Sequence, residues 1–586
     1  MKKAGKYLAP KQKKSATGIW LIIIAVLALL AVLFLVGRQY FPFTPDVPGE
    51  STGATETTAT QTTEVTEPKR NWQPGFVATL GLTAEYYGPD GGLLGTFVRG
   101  AEVEYEITAD GKTELLVDGV IATLQEGASV VADAAQVIPQ HTLYVRSTVN
   151  LRDSDGKLLA PLANKGDAVE VTGYDYLSEE GIPHMYRVTY GEEEGYVMPW
   201  YLTDTQEAAA ANYDDGDYTT HADRGNRYGG GDAGALDYYP RDKGPIEGNE
   251  MPEECRTLYV ATWCVDNIDS YLDIADNSGI NAFVVDITDG SAIGYAADVM
   301  KENCPSGAAA ALNTLEDYKA AIQKIKDAGY YVIGRITTFN DSLFVRDHPE
   351  YAISDLYGDP LKLSLEYWPT AFNRTAWQYK VDLAVEAVEL MGFNEIQFDY
   401  VRFPDSTWRY EDAGTIDFRN TYGESKAQAI QRFLMYATDI IHEHGAYVSA
   451  DVYGESAYTY VTAYGQYWPA VSNVVDAISG MPYPDHFSAS GDYLPWEHPY
   501  DTLYSWGKSV MQRQDETATP AAVRTWIQAY NAIREPYNYY GPDQVFAQIK
   551  GLRDAGCTGG YMTWNSASSV EKYRSLIPAF TPPDEE

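Results

Sequence analysis

The spacing of apolar and polar positions marks out four main stretches of the 586-residue chain. The first is an uninterrupted apolar run, Ile19–Val36, with no charged side chain. At ~1.5 Å per residue, a helix over this run nearly spans a hydrocarbon core of ~30 Å, which predicts a membrane anchor over residues 19–37. The second, residues 38–71, is rich in Thr, Glu and Pro and has too few apolar positions to bury a core. It reads as a stalk. The third, residues 72–203, alternates apolar and polar positions over short runs broken by Asp-Gly turns, the pattern of small antiparallel β units. Within it Pro89–Leu94 matches Ser154–Leu159, and Gly100–Glu104 matches Gly166–Glu170, at offsets of 65 and 66 residues. The repeat predicts two small β-barrels, residues 72–138 and 139–203. Residues 204–252, heavy in Asp, Gly, Tyr and Ala, read as a solvated linker. The run Asp214-Asp215-Gly216-Asp217 lacks the twelfth-position Glu of a calcium loop.

The fourth stretch, residues 253–580, alternates apolar runs of strand length with helical stripes. The strands expected are Leu258–Cys264, Ala282–Ile287, Tyr331–Thr337, Glu395–Phe403, Tyr447–Tyr453, Val475–Met481, Arg524–Ala529 and Gly560–Trp564. Several junctions share one grammar, a helix stopped by Gly and then a strand, as at Met391-Gly392 and Ala555-Gly556. Val545, Ile549 and Leu552 form one helical core stripe. Eight such units in sequence predict an α/β fold, a closed (β/α)8 TIM barrel, preceded by two all-β units. An open doubly wound sheet is the alternative, but no Gly-rich phosphate loop follows the first strand.

Charge sharpens the division. Seven basic residues and no acid precede Asp46, so the rest of the chain holds 83 acids against 36 bases. The basic tail, residues 1–18, keeps its end cytoplasmic by the positive-inside rule and sends the body outside the cell. A cleaved signal peptide is the rival reading, but Gly37-Arg38-Gln39-Tyr40-Phe41 is a poor cleavage site. So acidic a body repels polyphosphate, which excludes nucleic acid as a partner. Four Cys are too few for a disulfide scaffold. One bond is nonetheless expected, Cys255–Cys557 at the bottom rim of the barrel; Cys264 is within reach of Cys304 at the top, and four isolated thiols are the alternative.

In such barrels the chemistry sits at the C-terminal ends of the strands. Alternation along Glu395–Val401 turns Ile396, Phe398 and Tyr400 to the helices, leaving Gln397 and Asp399 to point inward. The same reasoning sends Ser449 and Asp451 inward. Asp286 and Asp289 end the second strand, and Arg335 and Arg402 are available partners for buried carboxylates. Gln528, Tyr530, Trp564 and Asn565 end the last two strands. Paired carboxylates across a cleft are the machinery of glycoside hydrolysis. The expected catalytic pair is Asp399, as nucleophile or base, and Asp451, as general acid, with Glu455 or Asp485 able to take the acid role. Substrate contacts are expected from Asp286, Asp289, Arg335, Gln397, Arg402, Tyr483, His486, Gln528, Trp564 and Asn565. Each carboxylate has a plainer reading as half of an ion pair that fixes strand register. No His-Glu-x-x-His set, Ser elbow or Walker loop occurs, so neither metal nor cofactor is expected.

Two resemblances add to this. Val149-Asn150-Leu151-Arg152, Lys165-Gly166-Asp167, Val169-Glu170-Val171 and Gly195-Tyr196-Val197 resemble the bacterial SH3 family over residues 142–203. The first copy lacks the Asn-Leu-Arg entry and is a degenerate member. That resemblance implies a module that binds cell-wall peptide or glycan, or serves as a spacer. The run Gln397-Phe398-Asp399-Tyr400-Val401-Arg402-Phe403-Pro404 resembles the putative glycosyl hydrolase domain family DUF4015. Asn281–Asp286, Ser449–Gly454, Met481–Pro484, Trp526–Gln528 and Thr563–Asn565 agree in order. This resemblance covers residues 255–575 and implies a TIM barrel related to glycoside hydrolases. The expectation is a single-pass, cell-surface hydrolase of wall or capsule polysaccharide. The alternative is a catalytically silent barrel that binds glycans and tethers the wall. A metal-dependent deacetylase is disfavoured by the missing ligand set.

Overall fold

The computed structural model describes residues 70–211, 230–405 and 407–581. The expected tail, anchor and nearly all of the stalk lie outside them, as do residues 214–217. Among the described residues no helix is long and apolar enough to cross a membrane.

Residues 73–131 and 141–203 each form a seven-stranded antiparallel sheet. Counted within each unit, the strands lie in the same order, 3-2-6-5-4-1-7. The repeat seen as matching Asp-Gly turns is therefore a repeat of topology. Alternation does the work in both copies: Val103 and Tyr105 of Glu102–Ile107, and Val169 and Val171 of Ala168–Tyr174, are buried while their neighbours face water.

The larger part is a parallel barrel. Its strands are β1 (Cys255–Val260), β2 (Ala282–Asp289), β3 (Tyr331–Thr337), β4 (Glu395–Asp399), β5 (Tyr447–Tyr453) and β6 (Ala477–Met481), then β7 and β8. β7 is split into Ala522–Val523 and Thr525–Gln528; β8 is Gly560–Trp564. The first half of β7 pairs with β6 and the second with β8, so this one strand joins the two ends of the sheet. At the seam Arg524 N donates to Ile478 O at 3.0 Å. Each strand is followed by a helix: α1 (Ile268–Asp276), α2 (Leu315–Asp327), α3 (Arg374–Met391), α4 (Lys426–Glu443), α5 (Trp468–Ser472), α6 (Pro499–Asp515), α7 (Pro542–Ala555) and α8 (Val570–Phe580). The sequence signals behind them are visible. Ser425 and Gln428 form a capping box at the start of α4. Gly392 and Gly556 end α3 and α7 in the left-handed conformation. The stripe Val545, Ile549 and Leu552 is buried. At the start of β8, Gly560 has φ +107°, and a Cβ there would lie 2.0 Å from the Cys255 carbonyl oxygen, so no other residue fits.

Two expectations fail here. All four cysteines are free thiols. Cys255 faces the barrel interior beside Tyr259 and Met562, while Cys557 faces the helix layer, its Sγ 3.8 Å from the Gly507 oxygen on α6. The two sit on opposite faces of the barrel wall, which a reading based on distance along the strands alone does not register. Cys264 instead turns to the Ala567 carbonyl. The second failure is the linker. Residues 230–252 pack on the barrel: Ala233, Leu236 and Tyr238 form a core with Ala427, Val461 and Tyr467. Further on, Ile246 and Met251 close the barrel floor.

The second β unit is bound to the barrel through a buried ion pair and buried hydrogen bonds. Asp439 on α4 accepts from Arg152 at 2.6 Å, Arg241 at 2.6 Å and the Tyr201 hydroxyl at 2.8 Å. Asn150 accepts from Arg374 of α3 at 2.9 Å. Two residues of the Asn-Leu-Arg entry are thus engaged by the barrel wall.

Candidate active site

The inward positions of β4 mark three depths in the barrel. Glu395 lies at the floor, paired with Arg524 and hydrogen bonded by Tyr331 and Ser449. Gln397 lies in the middle, donating to Ser479 and Met562 Sδ. Asp399 lies at the C-terminal mouth, where Arg335 Nη2 binds its Oδ2. The next residue, Tyr400, has φ +49°, a strained conformation for a bulky side chain. It turns the Tyr400 N–H onto Asp399 Oδ1 at 2.5 Å and its ring into the cleft wall.

Arg335 is the hub of the mouth. Its guanidinium meets four carboxylates: Asp286 at 2.6 Å, Asp289 at 3.4 Å, Asp399, and Asp451 at 3.5 Å. They fall into two layers. Asp289 and Asp399 line a cleft of about 230 Å³. Asp286 and Asp451 have no exposed surface and lie behind them. Asp286 is bound by the Tyr259 hydroxyl, and Asp451 accepts from Trp526 Nε1 at 2.7 Å. Burial, opposed by Arg335 and reinforced by Asp289, raises the Asp286 carboxyl to about 7. Burial, then the charge of Asp399, pushes Asp451 well above the usual carboxylate range. One cation cannot neutralise four carboxylates, and burial together with the excess charge raises the proton affinity of the inner pair, Asp286 and Asp451.

This has a stability consequence. Between its ordinary value and its raised one, Asp451 keeps in the folded state a proton that the unfolded chain has lost. Its contribution to stability therefore falls as pH rises from about 4 upward. Asp451→Asn removes that penalty and keeps an acceptor for Trp526. Its melting temperature relative to the parent should climb steadily from pH 4 to pH 8 in a thermal scan; a pH-independent difference refutes the raised carboxyl.

Of the expected substrate contacts, Asp289, Arg335, Arg402, Tyr483, His486 and Trp564 do line the cleft. Arg402 is not a partner of Asp399; it donates to the Tyr453 hydroxyl at 2.6 Å and pairs with Asp405 at 3.7 Å. Gln397 lies too deep to reach a ligand. Gln528 meets the loop at Asp485 and the side chain of Gln548, and Asn565 donates to the Ala529 carbonyl, so both hold loops. Asp485 is buried beneath the Tyr530 hydroxyl and the Ile533 N–H. Glu455 lies in a neighbouring trough. Sequence reasoning did not single out Tyr259, Trp526, Tyr453 and Met481 as site residues. The first two carry a period-two signal along β1 and β7; the last two end strands whose patterns were read correctly. No group of His, Cys, Asp and Glu among the described residues could hold a metal.

Residues 257–570 match the family model DUF4015, putative glycosyl hydrolase domain. Comparison with curated proteins finds no match. Among solved structures, the chain is similar to a hypothetical protein from Ruminiclostridium thermocellum, at 33% identity over 33% of this chain and 97% of that one, with a TM-score of 0.28. It is also similar to the PgaB (BpsB) glycoside hydrolase domain from Bordetella bronchiseptica, at 13% identity over 55% and 99%, TM-score 0.40. A third likeness is to the Ostrinia furnacalis Group II chitinase catalytic domain 2, at 12% identity over 57% and 98%, TM-score 0.35.

Proposed function

The chain belongs to the DUF4015 family of putative glycosyl hydrolase domains, and from that premise we propose that it hydrolyses O-glycosidic bonds of a wall or capsule polysaccharide in the cleft around Arg335. One observation carries the reading: two carboxylates, Asp289 and Asp399, face the same aromatic-walled cleft from one guanidinium. Their bonds to Arg335 keep the interacting oxygens within about 8 Å of each other, close enough for both to act on one glycosidic bond. Asp399 takes the role of nucleophile or base. Asp451 was the acid expected from sequence, but it has no surface to present to a leaving group. Asp289 takes the acid position, and Asp451 stands behind Asp399 as a proton-holding partner. The silent-binder alternative expects carboxylates locked on arginine and no open cleft. Asp399 is locked, yet the cleft is open, which favours hydrolysis.

Incubation of the full chain with a panel of wall and capsule polysaccharides should release new reducing ends from at least one, and Asp399→Asn should abolish that release. A panel without release, at confirmed folding, defeats the reading. The proposal extends to location: residues 19–37 as an uncleaved anchor, residues 1–18 cytoplasmic and the body outside. Cell fractionation should then find the intact chain in the membrane, with its body open to external protease. A soluble form beginning near Gln39 contradicts it. For the second β unit, the engagement of Asn150 and Arg152 by the barrel supports a supporting role over peptide capture.

A further inference from the structure

Beside the cleft lies a second trough of about 470 Å³. The two share Tyr453, Met481 and His486, so they adjoin along one groove at the mouth of the barrel. The trough's far wall is built by the segment that follows β5. Tyr458 and Tyr460 stack there, with ring centroids 5.9 Å apart, and Tyr458 is 39% exposed. Glu455 lines the same trough and accepts from the Tyr460 hydroxyl at 2.9 Å and the Tyr464 hydroxyl at 3.1 Å. An exposed tyrosine face beside an anchored carboxylate suits a sugar ring. The apolar face of the sugar lies on the aromatic ring, and vicinal hydroxyls donate to the carboxylate.

The charges of the groove set which sugars fit. Among the described residues no Lys or Arg lines the trough. The two arginines of the cleft are already engaged, Arg335 by four carboxylates and Arg402 by Tyr453, Asp405 and the Phe403 carbonyl. Arg534, outside the trough, donates to the Phe487 carbonyl at 3.0 Å. A uronate or phosphate-bearing sugar entering this groove meets Asp289, Asp399 and Glu455, while His486, which lines both parts, is held toward its neutral form by burial, so among the described lining residues like-charge contact prevails and rejects it.

We propose that the Glu455–Tyr458–Tyr460 trough is a subsite for the same chain that is cleaved beside Asp399, and that the substrate is an extended glycan whose sugars carry no anionic group. This rests on the hydrolase reading above. The test uses the full chain and wall and capsule polysaccharides partially hydrolysed and split on an anion exchanger. New reducing ends should come from the unretained pool alone. Cleavage in the retained, anionic pool overturns this inference and leaves the hydrolase reading intact; cleavage in neither pool defeats the hydrolase reading, and this inference with it. With size-graded oligosaccharides from the cleaved pool, kcat/KM should rise with chain length. Tyr458→Ala should lower kcat/KM for the longest by about tenfold, to the level of the shortest, erasing that rise. Tyr458 is exposed, so an unchanged unfolding midpoint confirms that folding is intact. Equal losses at every length, or no dependence on length in the parent, overturn the subsite.

Discussion

Asp399→Asn lowers glycosidic turnover by at least ~10³-fold while leaving the unfolding midpoint unchanged or raised. The asymmetry follows from the cluster. Asn keeps the shape of the side chain and one oxygen for the Tyr400 N–H, and the Arg335 bond it gives up leaves that guanidinium still held by Asp286, Asp289 and Asp451, so the local frame survives. It removes one negative charge from four carboxylates served by one guanidinium, which relieves repulsion instead of orphaning a cation. A residue that only fixed strand register would behave in the opposite way: the midpoint would drop, and activity would fall only in proportion to folded protein. Asp289→Asn separates the two roles further. If Asp289 protonates the leaving oxygen, its loss is large for an ordinary glycosidic bond and small for a substrate whose leaving group departs readily as an anion. Asp399→Asn should be insensitive to that change of leaving group in its attack step. Steady-state rates on one verified substrate and an activated analogue decide it. Near-parental turnover by Asp399→Asn sinks the site assignment, and equal losses for both substrates in Asp289→Asn return the acid role to another carboxylate.

The barrel was legible in the sequence because its two periods are clean. Strands with apolar faces toward the helices, such as Ile396 and Phe398 or Val448, Ala450 and Val452, force the intervening residues inward, and the structure places Gln397, Asp399, Ser449 and Asp451 there. The same alternation, carried two residues back, also puts Glu395 in the barrel, where it pairs with Arg524. What the period does not convey is depth. Gln397, Asp399 and Asp451 share an orientation but differ in whether they meet the cleft, because the height at which each strand ends depends on register between strands: Thr337 lies beside Asp399, and Ser479 beside Asp451. Sidedness was lost in the same way at Cys255 and Cys557. The strap over residues 230–252 was hidden for a different reason. Its contacts come from isolated side chains such as Tyr238 and Asn249, with no periodic stripe to reveal them.

The floor of the barrel carries the largest expected effect on stability. Glu395 and Arg524 are both fully buried, and Arg524 Nη1 lies 2.7 and 2.9 Å from the two carboxylate oxygens. Ser449 and Tyr331 donate to the same carboxylate, so its charge is well matched. Such a pair gains little over apolar packing, because desolvating both ions costs about what their attraction returns. Breaking it is another matter. Glu395→Gln leaves a permanently charged guanidinium in the barrel with no counter-ion, at a cost of about 3–5 kcal/mol. That is a large fraction of the ~5–15 kcal/mol that holds a typical domain folded. The loss should be read as a lowered denaturant midpoint in tryptophan fluorescence, to which the buried barrel residues Trp368, Trp377, Trp468 and Trp526 contribute. Replacing both partners, Glu395→Leu with Arg524→Leu, should recover most of the loss, because it removes the orphaned charge rather than adding a contact. Catalysis should follow stability in the double variant and be restored with it, since the floor lies two layers below Asp399. A single variant that costs less than about 1 kcal/mol, or a double variant no better than the single, shows that the pair is not the electrostatic keystone of the floor.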